Sequence, residues 1–428
     1  MNVFVYTLGC RLNQAESEAI ADAFKKAGFS IVGERAKHDI VIINTCTVTS
    51  KAEQKARRMI RLLAVSSDAV IVTGCYAELA RSALETLSDN IVIFSLKEKA
   101  ALLELPEHIK SKTSEGLSVY EAASAFVRGE RSVFDFDPTS FSYHSRAYLK
   151  IQDGCDNHCG YCRTSIARGP SVFLDEAEVV ERAKRLEHLG FHEIMLTGVN
   201  LTNYNHSGDG LGGLLEKLLD SLGDDIRIRL SSMEPDHVDD RVLEAIKDKR
   251  MQPHFHIPIQ SASPKVLQIV NRHYSIDHVR YIIEKLREYK DDPFIACDII
   301  AGLPGEEEED FMMSYNFLKE NKFAALHVFP YSPRPDTALY NSRLKPEERV
   351  RDERALKLRE LSLEMSKEYL ERQAGKCVEI LVEGKECKEG TTGNYLKAAI
   401  KNEKGLALKE GGLYKGIITS TDPIVVSL

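Results

Sequence analysis

Short apolar runs alternate with amphipathic stretches along most of the chain. Near the N-terminus, VFVYTLGC, DIVIINTC and AVIVTGC are β-branched runs that each reach a glycine or threonine and then a cysteine. The segments between them, AESEAIADAFKKAGF and SKAEQKARRMIRLLAVS, are helical in pattern. An order of strand, helix, strand, helix, strand predicts a parallel α/β sheet domain with right-handed crossovers over residues 1–138.

A second series of alternating elements occupies residues 147–370. Candidate strands are YLKIQ, EIMLTGV, IRIRLSS, HFHIPIQ, FIACDIIAGLP and ALHVFPYS, and stretches such as DEAEVVERAKRLEHLG and DHVRYIIEKLREYK are predicted helices between them. Six β-α units in tandem predict a partial (β/α)6 barrel, whose chemistry lies at the C-terminal ends of the strands. A polar connector over residues 139–146, including SFSYHSR, joins this barrel to the first domain.

The pattern changes after the charged helical stretch KPEERVRDERALKLRELSLEMSKEYLERQ. The segments VEILVEG, YLKAAIK, GLALKEG, GIITST and IVVSL, with glycine-rich turns, predict a small β-barrel over residues 371–428. Arg372 to Leu428 contain nine Lys or Arg residues and seven Asp or Glu residues, so this piece is mildly basic. Such barrels often bind oligonucleotides, and a structural cap is the alternative.

Composition is typical of a globular protein of about three domains. The 428 residues are 43% hydrophobic and 29% charged, and the formal net charge of -8 argues against a polyanionic partner unless charge is segregated between domains. No apolar run approaches the roughly 18 residues that span a membrane, and MNVFVYTLGC lacks a basic region and a cleavage site. We therefore expect a cytoplasmic protein, in which the nine cysteines are ligands or reactive thiols.

Three cysteines follow the first predicted barrel strand. Cys155, Cys159 and Cys162 stand in GCDNHCGYC with the spacing C-x3-C-x2-C. Three thiolates can hold three irons of a four-iron cluster and leave the fourth iron open to an outside ligand. A structural zinc site is the alternative, with His158 or a distant cysteine as the fourth ligand. The spacing favours the iron-sulfur cluster.

Three more cysteines, Cys10, Cys46 and Cys75, stand at equivalent strand ends of the predicted N-terminal sheet. The carboxyl ends of parallel strands meet at one edge, where ligands bind in open α/β sheets. The alternative is three small buried apolar side chains, which free cysteines often are. Their shared position predicts a second three-thiol cluster site.

With Tyr161 before the third thiol, GCDNHCGYC resembles the radical S-adenosylmethionine (SAM) signature, in which the amino and carboxylate groups of SAM bind the open iron. TGNYLKAAI in the tail is similar to the central motif of the RNA-binding TRAM domain, and the whole chain resembles the radical SAM methylthiotransferases. Within this family, TLGCRLNQAESE, RLSSMEP, HFHIPIQSAS and FPYSPRPDTAL are similar to the branch acting on threonylcarbamoyl-adenosine in tRNA. Other branches act on isopentenyl-adenosine in tRNA or on an aspartate of a ribosomal protein. The chain departs from the family pattern at Arg163, Thr164, Ser165 and Ala262.

The resemblance implies methylthiolation of carbon 2 of threonylcarbamoyl-adenosine at position 37 of tRNA. It implies two 4Fe-4S clusters and two SAM molecules, one that methylates a sulfur at the N-terminal cluster and one that is cleaved to a 5'-deoxyadenosyl radical. The implied partners are the anticodon loop of tRNA and an electron donor such as a flavodoxin or ferredoxin. A non-catalytic RNA-binding protein with structural zinc is the alternative from another class.

Candidate contacts come from strand-end positions and from the resemblance. Polar side chains at strand ends should face the mouth of the barrel, and the Arg272 guanidinium matches the SAM carboxylate. CDIIAGLPGE resembles the segment that lies against adenine, with Cys297 in the core, and no histidine is given a role. The predicted cofactor contacts are Tyr161, Asn200, Ser231, Glu234, Gln260, Arg272, Asp298 and Phe329; the predicted substrate contacts are Tyr331 and Arg334; the predicted metal ligands are Cys10, Cys46, Cys75, Cys155, Cys159 and Cys162.

Overall fold

A computed structural model describes all 428 residues. The N-terminal unit is a five-stranded parallel sheet in the order β2-β1-β3-β4-β5, as the alternating pattern predicts. Its elements are β1 (Asn2–Thr7), α1 (Arg11–Lys26), β2 (Ser30–Ile31), β3 (Ile40–Thr45), α2 (Ser50–Ala64), β4 (Ala69–Gly74), α3 (Cys75–Leu79), α4 (Arg81–Glu85), β5 (Ile91–Ile93), α5 (Leu105–Ser114) and α6 (Val119–Ser124).

Strands β3 and β4 are buried along their whole length because helices cover both faces of the sheet. Ile42 packs in a core with α1, α5 and α6, whereas its neighbour Ile43 packs in a second core with α2. The register pairs Thr7 of β1 with Asn44, and Thr45 of β3 with Gly74. The carboxyl ends of β1, β3 and β4 therefore lie side by side at one edge of the sheet.

The predicted connector lies against α1. The carboxylate of Asp22 accepts hydrogen bonds from the Thr139 backbone N–H at 2.9 Å and from the Ser140 hydroxyl at 2.5 Å. Glu18 accepts one from the Ser142 backbone N–H at 2.7 Å. Two buried carboxylates of the first unit thus hold the chain that leads into the second.

The central unit contains the six predicted strands, all parallel. Three form a sheet in the order β10-β9-β6 and three in the order β11-β12-β13, and a bridge between Ile228 and Met251 links the two sheets. The elements are β6 (Ala147–Lys150), β7 (Gln152–Asp153), α7 (Thr164–Arg168), β8 (Val172–Phe173), α8 (Glu176–His188), β9 (Glu193–Thr197), α9 (Gly210–Ser221), β10 (Arg227–Leu230), α10 (Asp240–Ile246), β11 (His254–Gln260), α11 (Pro264–Ile269), α12 (Ile276–Tyr289), β12 (Phe294–Ala301), α13 (Glu308–Glu320), β13 (Ala325–Pro330) and α14 (Glu348–Gln373).

Side chains alternate between the two faces of these strands. Ile194 and Ile228 belong to the largest core, which contains the surrounding helices, whereas Glu193 and Arg229 on the same strands face the other way and pair at 3.0 Å. The inner face of the partial barrel is therefore strongly polar. This face meets α1 of the first unit and the C-terminal unit.

The C-terminal unit is a closed five-stranded barrel in the order β14-β15-β16-β18-β17, as predicted. One predicted strand was wrong: GLALKEG lies in a loop, because the Asn402 side chain bonds both backbone groups of Leu406 and folds the chain back. Glu389–Thr392, which lacks apolar alternation, is a strand instead, and Gly390 allows its close approach to Leu381. The strands are β14 (Cys377–Glu383), β15 (Glu389–Thr392), β16 (Lys397–Lys401), β17 (Leu413–Thr421) and β18 (Ile424–Ser427).

None of the helices in the whole chain combines the length and apolar character that crossing a membrane requires.

Candidate active site

The three-cysteine loop follows the first barrel strand and is held by its own backbone. Gly154 enters the loop with φ of 71°, and a Cβ there would lie 1.9 Å from the Pro170 carbonyl oxygen, so only glycine fits. The Cys155 N–H donates to the Gly169 carbonyl at 3.1 Å, and the Cys162 N–H donates to the Cys159 carbonyl at 2.9 Å. Local hydrogen bonds thus direct the loop before any ligand binds.

The thiols of this loop open into one cavity of about 230 Å³ at the C-terminal ends of the strands. The cavity brings together residues that are far apart in sequence. Of the predicted cofactor and substrate contacts, those that line it are Tyr161, Glu234, Gln260, Arg272, Asp298, Phe329 and Tyr331.

Two further predicted cofactor contacts, Asn200 and Ser231, are not part of the cavity wall. The Asn200 side-chain amide is 4.0 Å from the Cys155 sulfur. Ser231 is buried, and its hydroxyl has no hydrogen-bond partner. Both side chains retain donors or acceptors for a ligand.

Arg272 connects the cysteine loop to the cavity wall. Its guanidinium lies 3.6 Å from the Cys159 sulfur, donates to the Pro258 carbonyl at 2.7 Å and pairs with Glu234. Burial raises the pKa of Glu234, and the nearby Arg272 only partly offsets this effect. The cavity therefore holds a positive group next to the thiols and an acid that binds protons more tightly than usual.

Asp298 is bound by two histidines to which the sequence pattern assigned no role. Its Oδ1 lies 2.8 Å from His256 Nε2 and 3.1 Å from His327 Nδ1. Burial opposes ionisation of Asp298, but these hydrogen bonds outweigh it and hold the pKa well below its usual value. The alternation in HFHIPIQ was the available signal, since it directs His256 to the polar face of β11.

The protonation state of the loop thiols affects whether they can bind a metal. Burial raises the pKa of Cys155 to about 12, and it raises that of Cys159 to about 11 although Arg272 acts in the other direction. Without a cation these thiols stay protonated, and a bound metal replaces the protons.

The spacing of the thiols distinguishes a cluster from zinc. Thiolates around one zinc ion lie about 4 Å apart, because Zn–S bonds are about 2.3 Å. These three sulfurs are not all within 4.8 Å of one another, and His158 is exposed outside the cavity. The three thiols therefore do not form a compact zinc site with His158, and they leave one coordination position open, as a 4Fe-4S cluster held by three thiolates requires.

The second cysteine set lies where the sheet topology predicts. Cys46 and Cys75 directly follow β3 and β4, and Cys10 follows the turn after β1. In that turn Gly9 has φ of 104°, and a Cβ there would lie 3.0 Å from the Cys46 sulfur. Burial and the neighbouring thiols of Cys10 and Cys75 raise the pKa of Cys46 to about 12. Three converging thiols with no acidic ligand among them fit a second cluster.

A buried ionic group joins the second cysteine set to the central unit. Glu16 of α1 pairs with Lys99, with Lys150 at 2.8 Å and with Arg168 at 3.2 Å. All four side chains are at most 2% exposed. Burial opposes ionisation of Glu16, but the three cations hold its pKa well below the usual value.

Arg168 also affects the N-terminal thiols. It lies at the end of α7, the short helix after the three-cysteine loop, and donates to Asp153 at 2.8 Å. Burial raises the pKa of Cys75, and Arg168 is close enough to lower it. The role of Arg168 could not be predicted from the sequence, since nothing in a lone arginine at a helix end indicates a buried partner in another domain.

A second ionic contact spans the same two units. Glu53 of α2 accepts a hydrogen bond from Arg163 at 3.0 Å and also pairs with Arg334. Thr47 donates to the same carboxylate at 2.5 Å. Arg334, a predicted substrate contact, is only 3% exposed and points toward Glu53 rather than into the cavity. We call this contact of Glu53 with Arg163 and Arg334 the clamp on Glu53.

Comparisons with known proteins agree with this arrangement. Residues 149–318 match the radical SAM superfamily, and residues 2–95 match the uncharacterized protein family UPF0004. The radical SAM methyltransferase TsrM from Kitasatospora setae, solved with tryptophan substrate and a SAM analog, shares the fold with a TM-score of 0.53. It is 15% identical, and the match covers 78% of this chain and 74% of that one.

Two curated relatives extend the similarity over nearly the full length. The threonylcarbamoyladenosine tRNA methylthiotransferase MtaB of Treponema pallidum (strain Nichols) is 36% identical, covering 96% of each chain. The tRNA-2-methylthio-N(6)-dimethylallyladenosine synthase of Endomicrobium trichonymphae is 31% identical, covering 94% of this chain and 92% of its own. Membership of the superfamily implies SAM and a 4Fe-4S cluster. The chain belongs to the radical SAM tRNA methylthiotransferases.

Proposed function

We propose that the protein methylthiolates carbon 2 of threonylcarbamoyl-adenosine at position 37 of tRNA, using two 4Fe-4S clusters and two molecules of SAM. The observation that carries this proposal is the presence of two three-thiol sets, one at the barrel mouth and one at the sheet edge, with Arg168 of the helix after the first set lying next to Cys75 of the second. The nucleoside is the one after which the Treponema pallidum relative is named.

The proposed division of labour follows from the two sites. When bound, the cluster at Cys155, Cys159 and Cys162 would supply the electron that cleaves SAM, and the cluster at the N-terminal thiols would hold the sulfur that is methylated and transferred. Arg272 offers N–H groups to the SAM carboxylate beside the loop thiols. Asp298, kept ionised by two histidines, is suited to accept hydrogen bonds from the ribose.

The clamp on Glu53 has a structural role in this proposal. It links α2, which follows Cys46, to Arg163, which directly follows Cys162. A fixed distance between the sulfur-holding site and the SAM cavity keeps the substrate base in reach of both.

The proposed partners are a tRNA and an electron donor such as a flavodoxin or ferredoxin. An unpaired anticodon-loop base can be turned out of its stack, as single-stranded RNA recognition generally requires. Because the substrate is tRNA, we propose that the enzyme acts in the cytoplasm.

Nucleoside mass spectrometry of tRNA from a deletion strain tests the proposal. We expect 2-methylthio-threonylcarbamoyl-adenosine to disappear and threonylcarbamoyl-adenosine to accumulate. A plasmid with the wild-type gene should restore the product, and one encoding Cys155→Ala should not. Loss of the methylthio isopentenyl nucleoside instead, or of an aspartate modification on a ribosomal protein, would contradict the proposed substrate.

A further inference from the structure

Arg11, the residue after Cys10, has no acidic partner. Its only hydrogen bond is a 3.4 Å contact from Nη1 to the Gln14 side chain, and it forms no ion pair. The side chain is partly buried, with the guanidinium carbon 5.0 Å from the ring centre of Tyr395. A guanidinium in this position keeps most of its five N–H donors free for a ligand.

Further donors lie next to Arg11. Tyr148 is 2% exposed; its hydroxyl faces Arg11, and the hydrogen of this hydroxyl has no acceptor. Burial raises the pKa of Tyr148 to about 12, and Arg11 is near enough to act against this rise. Helix α1 also begins here without a side-chain cap, so its first N–H groups are open.

The arginines around Arg11 and Tyr395 outnumber the carboxylates that pair with them. One buried carboxylate, Glu193, pairs with Arg229 at 3.0 Å, Arg227 at 3.2 Å and Arg146 at 3.3 Å. Arg146 has a second partner in Glu383, while its Nε and Nη1 remain without a hydrogen bond. Arg11 adds a cation that faces the same Tyr395 ring as Arg146 and Arg229. Buried positive charge in excess is costly unless an anion completes it.

We propose that Arg11 and the Tyr148 hydroxyl bind the carboxylate of the threonylcarbamoyl group, and thereby select this substrate over bases without an anionic substituent. The inference rests on the proposed function. Carbon 2, which receives the sulfur, and carbon 6, which carries the substituent, flank the same ring nitrogen. If carbon 2 lies at the Cys10 site, the substituent on carbon 6 would extend toward Arg11 and Tyr148.

The chemistry of the pair supports a carboxylate rather than an apolar group. A guanidinium binds a carboxylate with two parallel hydrogen bonds, and such charge-assisted bonds are about twice as strong as neutral ones. An isopentenyl group would leave the donors of Arg11 and Tyr148 without partners, at a cost that discriminates strongly between substrates. The other anion that Arg11 is placed to bind is a negatively charged sulfur species at the N-terminal thiols.

Esterification of the substrate separates these two anions. Two anticodon stem-loop RNAs would be compared, one with threonylcarbamoyl-adenosine and one with its methyl ester, which removes the negative charge and adds one methyl group. Dissociation constants for the cluster-loaded protein would be measured by fluorescence anisotropy with the wild type, Arg11→Gln and Arg11→Lys. Arg61→Gln is the matched control, since Arg61 is exposed on α2.

We expect the wild type and Arg61→Gln to prefer the acid over the ester by roughly 10- to 100-fold. Arg11→Gln should bind both RNAs with the affinity that the wild type has for the ester. Arg11→Lys keeps the charge without the bidentate geometry, so it should retain part of the preference. If Arg11→Gln does not fold, a reduced ratio in Arg11→Lys still tests the proposal.

An unchanged acid-to-ester ratio in Arg11→Gln would overturn the inference. So would an equal loss of affinity for both RNAs, which would assign Arg11 to the sulfur site or to the fold. Failure of the proposed function looks different, because no variant would then form methylthio product on the acid RNA, whatever the binding ratio.

Discussion

The ring of Tyr395 in the C-terminal barrel lies 4.8 Å from the guanidinium carbon of Arg229 on the inner face of the central barrel. The same arginine donates to the Gly393 carbonyl at 2.9 Å. Next to it, Asn394 donates to the Tyr369 hydroxyl at 2.8 Å. The turn that resembles the central TRAM motif thus attaches the small barrel to the rest of the protein.

We expect Tyr395→Ala to lower the free energy of unfolding by about 2 to 4 kcal/mol, because it removes a ring that contacts three guanidiniums. Urea unfolding followed by circular dichroism measures the change. Tyr340→Ala, at a position that is 40% exposed, is the control and should have little effect. Equal stability of the two variants would show that the turn is not a significant interdomain contact.

Docking through this turn leaves the outer surface of the barrel for RNA. Lys397 and Lys401 are exposed on β16. We expect Lys397→Glu combined with Lys401→Glu to weaken tRNA binding and to make its dependence on salt shallower by about 1 to 2 in the log-log slope. SAM cleavage driven by dithionite should not change, because these lysines belong to the C-terminal barrel and do not line the cavity that holds the loop thiols. Salt-dependent anisotropy provides the measurement, with exposed Lys184→Glu on α8 as control; an unchanged slope would point to a structural cap.

The two cysteine sets should differ in what they permit. We expect the triple variant Cys10→Ala, Cys46→Ala and Cys75→Ala to form 5'-deoxyadenosine but no methylthio product, because the SAM cavity lies in the central unit. Cys155→Ala should form neither. Product analysis by mass spectrometry with dithionite as reductant measures both, and iron content should fall by about half in the triple variant. Methylthiolated tRNA from the triple variant would refute the assignment of the N-terminal site.

Glu16 should make stability depend on pH. We expect Glu16→Gln to destabilise the protein at pH 7 by about 3 to 5 kcal/mol, since it leaves buried Lys99, Lys150 and Arg168 without a shared carboxylate. The pKa of Glu16 is lower in the folded state than its usual 4.5. Its contribution is therefore present above pH 4.5 and is lost as the pH falls through the folded-state pKa.

Urea unfolding of wild type and variant at several pH values checks this expectation. The difference in unfolding free energy should narrow below about pH 4.5, where the unfolded carboxyl takes up a proton. Glu360→Gln, exposed on α14, is the control. If the difference in unfolding free energy between wild type and Glu16→Gln stays constant down to acidic pH, the carboxylate charge is not what stabilises the site.

The sequence predicted the elements best where periodicity was strong. The six barrel strands and the three thiol-ending strands were correct because apolar alternation and β-branched runs reflect burial on a sheet. The C-terminal barrel was correct as a whole and wrong in one strand. In that barrel, the close approach at Gly390 and the turn at Asn402 set the path of the chain. Neither feature produces an apolar pattern in the sequence.

The candidate site was predictable only in part. Residues within motifs or at strand ends, such as Glu234 and Asp298, line one cavity, because parallel strands bring their ends together. Arg168 and Glu53 were missed, since their partners belong to a different unit and pairing across an interface has no sequence period. Arg334 was predicted from its motif to contact the substrate, whereas the structure buries it against Glu53, and that burial depends on how the units dock.

The distribution of the partners of Glu16 along the chain has a consequence for biosynthesis. Lys99 belongs to the N-terminal unit, whereas Lys150 and Arg168 are translated later, with the first barrel strand and the three-cysteine segment. While the ribosome has completed only the first unit, its carboxylate has one of its three counterions. Domains generally fold as they emerge from the ribosome. The buried Glu16 of the first unit should therefore lack two of its ion pairs until the segment with Lys150 and Arg168 has been translated. The same event that completes the salt bridge also brings Arg168 next to the N-terminal thiol of Cys75.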